Sequence, residues 1–265
     1  MTHFENKWCL ITGASAGIGA AYARAFAEEG ANLILVARRE ERLNSLAVEL
    51  QTSHGVKTVV RAVDLLADGQ PQQLIEELSN EGLQVDILIN NAGFGMWSRC
   101  EHTNPNQVDN MLQLNINVLA LLTYAYLPGM LSRKSGTIIN VASRAAFQPV
   151  VYMPAYAASK AFVLSFSEAL WAETRGRGVH VMAVCPGVVN TEFIELADMP
   201  TRLSSIALNR DDVVKATMSG LRRKRPSIVV GIIPSILTFL NRFLPRTLLA
   251  RMSMNFMRPD ADAEE

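Results

Sequence analysis

The chain has 265 residues, enough for one large α/β domain or two small ones, and nothing in it resembles a linker, so a single domain over 1–265 is expected. Its 25 basic residues balance its 25 acidic ones, which removes the net field that would steer it toward nucleic acid or another polyanion. Cys9, Cys100 and Cys185 are odd in number and far apart with no CxxC, which argues for a reducing compartment and against a disulfide framework or any metal site. The polar start from Met1 to Lys7 carries no apolar signal core, so the expected location is the cytoplasm.

In chain order, seven apolar runs have strand length: Trp8–Thr12, Asn32–Val36, Thr58–Val63, Val85–Ile89, Gly136–Ala142, Val179–Cys185 and Ser227–Val230. Several are almost continuously aliphatic, which suits strands buried on both faces of a parallel sheet. Helical patterns lie between them near 17–29, 39–52, 70–80, 106–133, 155–175 and 210–223. Strand then helix, repeated, predicts an α/β fold: a doubly wound, Rossmann-type, mostly parallel sheet of seven strands with helices on both faces. Near the end, Ser227 to Leu240 has no charge and is mostly aliphatic. It is too short for the roughly 20 residues that cross a bilayer and contains Pro234, so it reads as a core strand followed by a buried or interfacial helix.

Gly13, Gly17 and Gly19 follow the first predicted strand directly and open the first predicted helix. Glycines there permit a tight turn and close approach of a pyrophosphate to backbone N–H groups, and the helix N-terminus adds partial positive charge. About 20 residues further on, the second strand ends in Ala37-Arg38-Arg39, where a dinucleotide site discriminates its ribose. Ala37 removes the acid that would bind a 2′-hydroxyl, and Arg38 offers a planar cationic fork for a 2′-phosphate, so NADP(H) is favoured over NAD(H). Read more plainly, Arg38 and Arg39 begin a solvated helix with Glu40, Glu41 and Arg42.

Tyr156 and Lys160 are four residues apart in a predicted helix, which puts phenol and ammonium on one face, and Ser143 lies thirteen residues upstream of the tyrosine. A nearby cation stabilises a phenolate; bringing a tyrosine from ~10 to ~7 takes roughly 4 kcal/mol of differential stabilisation.

With these residues assembled, the chain resembles the short-chain dehydrogenase/reductase family over essentially its whole length. Thr12-Gly13-x3-Gly17-x-Gly19 looks like the family's cofactor loop, with Ser15, Ala16 and Ile18 inside it. Asp64 resembles the adenine contact, and Asn90-Asn91-Ala92-Gly93 the motif that stabilises the central sheet. Asn115, Ser143, Tyr156 and Lys160 match the catalytic tetrad, and Pro186-Gly187-x3-Thr191, with Val189 inside it, the segment that positions the nicotinamide carboxamide. Asn115 fits the family spacing better than Asn117, and Tyr152 has no lysine four residues on, so it is expected to line the pocket or pack beside it. Many NADP-using relatives carry a basic residue where this chain has Ala16, so the cofactor preference rests on Arg38. The resemblance implies an NADP(H)-dependent oxidoreductase in which Tyr156 is the general acid and base. Ser143 would hold the carbonyl oxygen, Lys160 bind the nicotinamide ribose and lower the Tyr156 pKa, and Asn115 anchor a proton-carrying water chain. The branch most resembled contains the D-alanine-transfer-associated reductases and, more distantly, hydroxysteroid and 3-ketoacyl-CoA reductases.

The segments expected around the reacting carbonyl are Phe94 to Trp97, Ala145 to Met153, and Phe193, Ile194, Leu196 and Met199. They are largely apolar, which suggests a small hydrophobic carbonyl or alcohol, with Pro200 to Asn209 as a mobile lid. From 221 to 265 the chain extends beyond the family's minimal core. Arg222 to Arg225 read as cations at a helix C-terminus. The apolar stripe from Ile236 to Leu249 needs a cover: a subunit interface of a homodimer or homotetramer, the substrate mouth, or a membrane surface, with oligomerisation placed first because it needs no further partner. Two other classes stay open beside the enzyme: a non-catalytic NADP(H)-binding redox sensor and a membrane-associated scaffold that depends on the tail.

Overall fold

The computed structural model describes residues 4–257, so the ends of the expected 1–265 domain lie outside the described residues. Seven strands, β1 (Trp8–Thr12), β2 (Asn32–Ala37), β3 (Thr58–Ala62), β4 (Val85–Asn90), β5 (Gly136–Val141), β6 (Val179–Cys185) and β7 (Ser227–Val229), form one sheet. Their order is β3-β2-β1-β4-β5-β6-β7 and every pairing is parallel. The order reverses between β1 and β4, which leaves a crevice at the carboxyl ends of these two strands.

Helices cover both faces because the strands are apolar on both. Cys9 and Ile11 of β1 join Tyr22 and Phe26 of α1 (Gly17–Glu28), Leu43 and Leu50 of α2 (Glu40–His54) and Val213 of α8 (Arg210–Arg222). Leu10, between them, points the other way. It packs with Leu74 and Leu78 of α3 (Gln70–Asn80), Leu122 and Met130 of α5 (Leu119–Ser132), and Leu170 of α6 (Pro154–Thr174). Period-two alternation along one strand thus feeds two cores.

Where the pattern predicts one helix over 106–133, the chain runs as α4 (Pro105–Leu112), a π-helical segment Gln113–Val118 and then α5. The wider turn carries Asn115, fully buried and bonded in both directions to the Phe94 backbone: its Oδ1 accepts from Phe94 N at 3.2 Å and its Nδ2 donates to Phe94 O at 2.9 Å. A π segment in an α-helix frequently marks a functional position.

The pattern also leaves unpredicted α7 (Phe193–Leu196) and α10 (Arg246–Met257), and it places α9 (Ile232–Leu240) only as a buried or interfacial helix. Most of α9 is exposed, so the buried alternative is corrected. Arg222 closes α8, with Lys224 N and Arg225 N returning to the carbonyls of Leu221 and Gly220.

The middle of the sheet holds a buried polar chain. Asn90 Nδ2 donates to Asn140 Oδ1 at 2.9 Å and to Thr123 Oγ1 at 3.0 Å, and Asn140 Nδ2 donates to Ser167 Oγ at 2.9 Å. This links β4, β5, α5 and α6 in a medium where an unpaired amide is costly. Asn140→Ala is expected to lower unfolding stability by roughly 2–4 kcal/mol. Asn117→Ala, on the exposed side of the π segment, should change it by less than ~0.5 kcal/mol; urea melts of the two variants check the contrast.

Candidate active site

The crevice at the β1/β4 switch opens into a cavity of about 500 Å³, within the range of small-molecule sites. Its floor begins at the glycine loop. Gly13 (φ 68°) and Gly17 (φ 56°) adopt left-handed backbone that glycine tolerates best. A Cβ at Gly13 would lie 2.9 Å from Asn91 Nδ2, and one at Gly19 would collide with the Gly13 carbonyl. Ala16, the N-cap of α1, offers no side-chain cap, so the first N–H groups of that helix stay available to an anion. This cradle fits the pyrophosphate of a dinucleotide.

The loop is held against β4 by a compact set of hydrogen bonds. Thr12 Oγ1 accepts from Asn91 N and Ala92 N, both at 3.0 Å, and Asn91 Nδ2 donates to Thr12 O at 2.9 Å. Asn91, Ala92 and Gly93 line the cavity, as do Gly13, Ala16, Gly17, Ile18, Pro186, Gly187, Val189 and Thr191. Ser15 and Gly19 sit beside it rather than on its wall. Asp64 is exposed and accepts from Leu66 N at 3.1 Å.

Ser143, Tyr156 and Lys160 converge on the cavity. β5 ends just before Ser143, whose Oγ accepts from Ala145 N at 3.1 Å, and the first turns of α6 present the other two. Asn115 lies directly behind them: its Nδ2 donates to Ser159 Oγ at 3.2 Å, and Ser159 in turn donates to Tyr156 O. A Cβ at Gly93 would overlap Asn115 Oδ1 and reach within 3.5 Å of Lys160 Nζ. Tyr152, with φ 65°, is not on the cavity wall; its ring packs 5.2 Å from Trp97.

Lys160 Nζ donates to Val141 O at 2.9 Å and stands 5.8 Å from the Tyr156 ring centroid. Burial pushes Tyr156 up to about 12, only partly offset by its hydrogen bond with Ser143, and burial lowers Lys160 to about 8. Taking both groups out of water penalises phenolate and ammonium more than their separation repays.

Arg38, singled out for the ribose phosphate, is exposed and forms no ion pair among the described residues. Its neighbour Arg39, read as the start of a solvated helix, lines the cavity instead. Arg39 bonds Glu192 at 2.7 Å and Ser15 Oγ at 3.2 Å, and Arg42 bonds the other oxygen of Glu192 at 2.5 Å. The two guanidiniums, Arg42 first, hold that carboxyl below its usual range. Nothing local in the sequence signals this pairing across 150 residues.

Phe94, Ala145, Val150, Met153, Phe193, Leu196 and Met199 form the apolar side, with the Gln148 amide among them, while Trp97 and Ile194 stay off the wall. In the segment expected as a lid, none of the described side chains of 200–209 lines the cavity, and Leu203 is buried against Met153 and Met257. The cover comes from the tail, through Leu237, Asn241, Leu249, Met252 and Phe256. Asn241 Nδ2 donates to Gln148 Oε1 at 2.6 Å, Val151 N to Ser253 Oγ at 3.0 Å, and Trp97 Nε1 to Met257 O at 3.1 Å.

This combination of a doubly wound parallel sheet, a glycine cradle and a serine, tyrosine and lysine on one cavity defines a nucleotide-dependent oxidoreductase. Residues 7–199 match the short chain dehydrogenase family, and the chain belongs to it. It is 30% identical over 257 residues to the very-long-chain 3-oxoacyl-CoA reductase of Mus musculus, covering 96% of this chain and 80% of that one. To the enzyme of the same name from Anas platyrhynchos it is 35% identical over 207 residues, 74% of this chain and 65% of that one. Among solved structures, a short-chain dehydrogenase from Sphingobium yanoikuyae in complex with NADPH superposes with a TM-score of 0.82 at 30% identity, covering 98% of both chains.

Lys160 supplies a test of the electrostatics. Its folded pKa lies below its usual 10.5, so the unfolded chain binds more protons between about 8 and 10.5 and stability rises with pH through that window. At pH 7 the buried ammonium therefore costs stability. Lys160→Met is expected to raise unfolding stability at pH 7 by roughly 1–3 kcal/mol, with the difference fading toward pH 10.5. Urea melts at the two pH values decide it; an equal or lower midpoint at pH 7 would mean that the Val141 hydrogen bond outweighs desolvation.

Proposed function

We propose that this protein is an NADP(H)-dependent reductase of hydrophobic carbonyl compounds, able to run as an alcohol dehydrogenase, with Tyr156 as its acid and base. The observation that carries the reading is the convergence of Ser143, Tyr156 and Lys160 on one apolar cavity whose other end is the glycine cradle. When bound, the nicotinamide nucleotide supplies or accepts the hydride. The glycine loop, Asn91 to Gly93, Val189 and Thr191 would hold it, with Asp64 at its adenine end and Arg38 at its ribose phosphate.

The chain's own part is proton transfer and orientation. A phenol with a pKa of about 12 is protonated at neutral pH, so Tyr156 has a proton to give to the alkoxide that develops as a carbonyl is reduced. Ser143 donates a hydrogen bond to the same oxygen from a preorganised position. Lys160 and Asn115 lie behind the phenol, where Asn115 orients the Ser159 hydroxyl bonded to the Tyr156 carbonyl. The apolar wall and the cover from α10 keep water from the reacting atoms.

Substrate class follows from wall chemistry and from the relatives' names: a long-chain 3-oxoacyl thioester, or a bulky ketone of similar hydrophobicity. Three free thiols, two of them buried, suit the reducing cytoplasm. The redox-sensor alternative would need no acid at the reacting carbonyl, so the presence of the full set around one cavity favours turnover.

A panel of ketones, aldehydes and acyl thioesters followed by NADPH absorbance tests the reaction. Wild type should turn over apolar members, and Tyr156→Phe should lose at least ~100-fold in kcat while still binding NADPH. Binding without turnover on any member would move the reading to the sensor class. For the cofactor, Arg38→Asp is expected to shift kcat/KM preference from NADPH toward NADH by about tenfold or more; an unchanged ratio would transfer the role to Arg39.

A further inference from the structure

The tail is built inside out. Ile232, Ile233, Ile236, Phe239, Leu240 and Phe243, on α9 and the turn after it, are 48–80% exposed. At 3.6 residues per turn they cover one arc of roughly 120°. The hydroxyls face the other way: Thr238 is buried, and Ser235 Oγ bonds the carbonyls of Val229 and Gly231 at 3.1 and 2.6 Å. A helix that meets water shows the opposite arrangement, and a contiguous apolar face of this kind marks a binding surface.

Charge decides what covers it. From Val213 to Met257 the chain has eight basic residues and no aspartate or glutamate. Arg242, in the turn after α9, and Arg246, the first residue of α10, sit exposed beyond the apolar arc, with Arg251 further along α10, and none of the three forms an ion pair among the described residues. In a two-fold contact between copies the same patch faces itself, so these cations would meet cations with no acid in the segment to offset them. Anionic headgroups offset them directly. Arg222 to Arg225 lie at the opposite end of β7 and take no part.

We propose that α9 and the turn after it lie flat on an anionic bilayer surface, with the apolar arc in the headgroup and acyl boundary and Arg242 and Arg246 on the lipid phosphates. The same segment contributes Leu237 and Asn241 to the cavity, so docking sets the mouth of the site against the lipid. On the reading of the reaction given above, an apolar substrate then enters from the membrane rather than from water. The longer apolar stretch Pro105–Ser132, by contrast, has the length to cross a bilayer but buries Leu122, Leu127 and Met130 against the sheet.

Flotation of the full chain with vesicles of phosphatidylcholine alone, or with added phosphatidylserine, tests the docking without any turnover, so a failure of the assigned reaction leaves it readable. Wild type is expected to float with the anionic vesicles, each of Arg242→Gln and Arg246→Gln weakening partition about fivefold. The Ile233→Glu/Ile236→Glu double variant should lose flotation while keeping its melting temperature and its mass by light scattering. No flotation at low salt would overturn the proposal, as would equal partition to neutral and anionic vesicles. A double variant that breaks a dimer seen for wild type would give the face to a second copy of the chain.

Discussion

The junction between Thr12 and Asn91 is the constraint from which the rest of the site follows. β1 and β4 are neighbours in the sheet, yet the segments that leave them diverge, one into the glycine loop and the other toward Gly93 and Phe94. A crevice is the necessary result. Its width is set by the Thr12 hydroxyl, which accepts two backbone N–H groups, and by the Asn91 amide, which returns to the Thr12 carbonyl. So close is the approach that Gly13 and Gly19 have no room for a Cβ. Asn115 repeats the device one layer deeper, tying the Phe94 backbone to the helix that carries Tyr156 and Lys160.

Burial gives this site its chemistry at some cost to the fold. The low dielectric that raises the Tyr156 pKa also strips the Lys160 ammonium of water, leaving the Val141 carbonyl as its one hydrogen-bond acceptor among the described residues. A cation held in that state costs the fold stability at neutral pH and gains from any further acceptor brought within reach.

The tail joins the site to the surroundings of the molecule. Its hydrogen bonds run from Asn241, Ser253 and Met257 back to the loops after β4 and β5, so the cover of the cavity is fastened to the walls rather than draped over them. The same tail turns its largest apolar side chains outward. A cavity wall and an exposed apolar face are thus two sides of one short segment.

Much of this was legible in the sequence because it is encoded locally. Strand and helix periodicity, the glycine spacing and the i, i+4 placement of Tyr156 and Lys160 depend on residues within a few positions of one another, so the doubly wound sheet and the residues around the crevice could be read directly. What the sequence did not determine lies in contacts between distant positions. The π segment that turns Asn115 inward, the Glu192 carboxylate between Arg39 and Arg42, and the seat of Met257 over Trp97 arise only when segments distant in the sequence are brought side by side. Composition showed that the tail was apolar; only packing decided which face it turned to the protein, because Ser235 and Thr238 found partners or burial inward and left isoleucine and phenylalanine outward. The pKa order of Tyr156 and Lys160 was decided in the same way, since desolvation is a property of the folded surroundings and not of spacing along a helix.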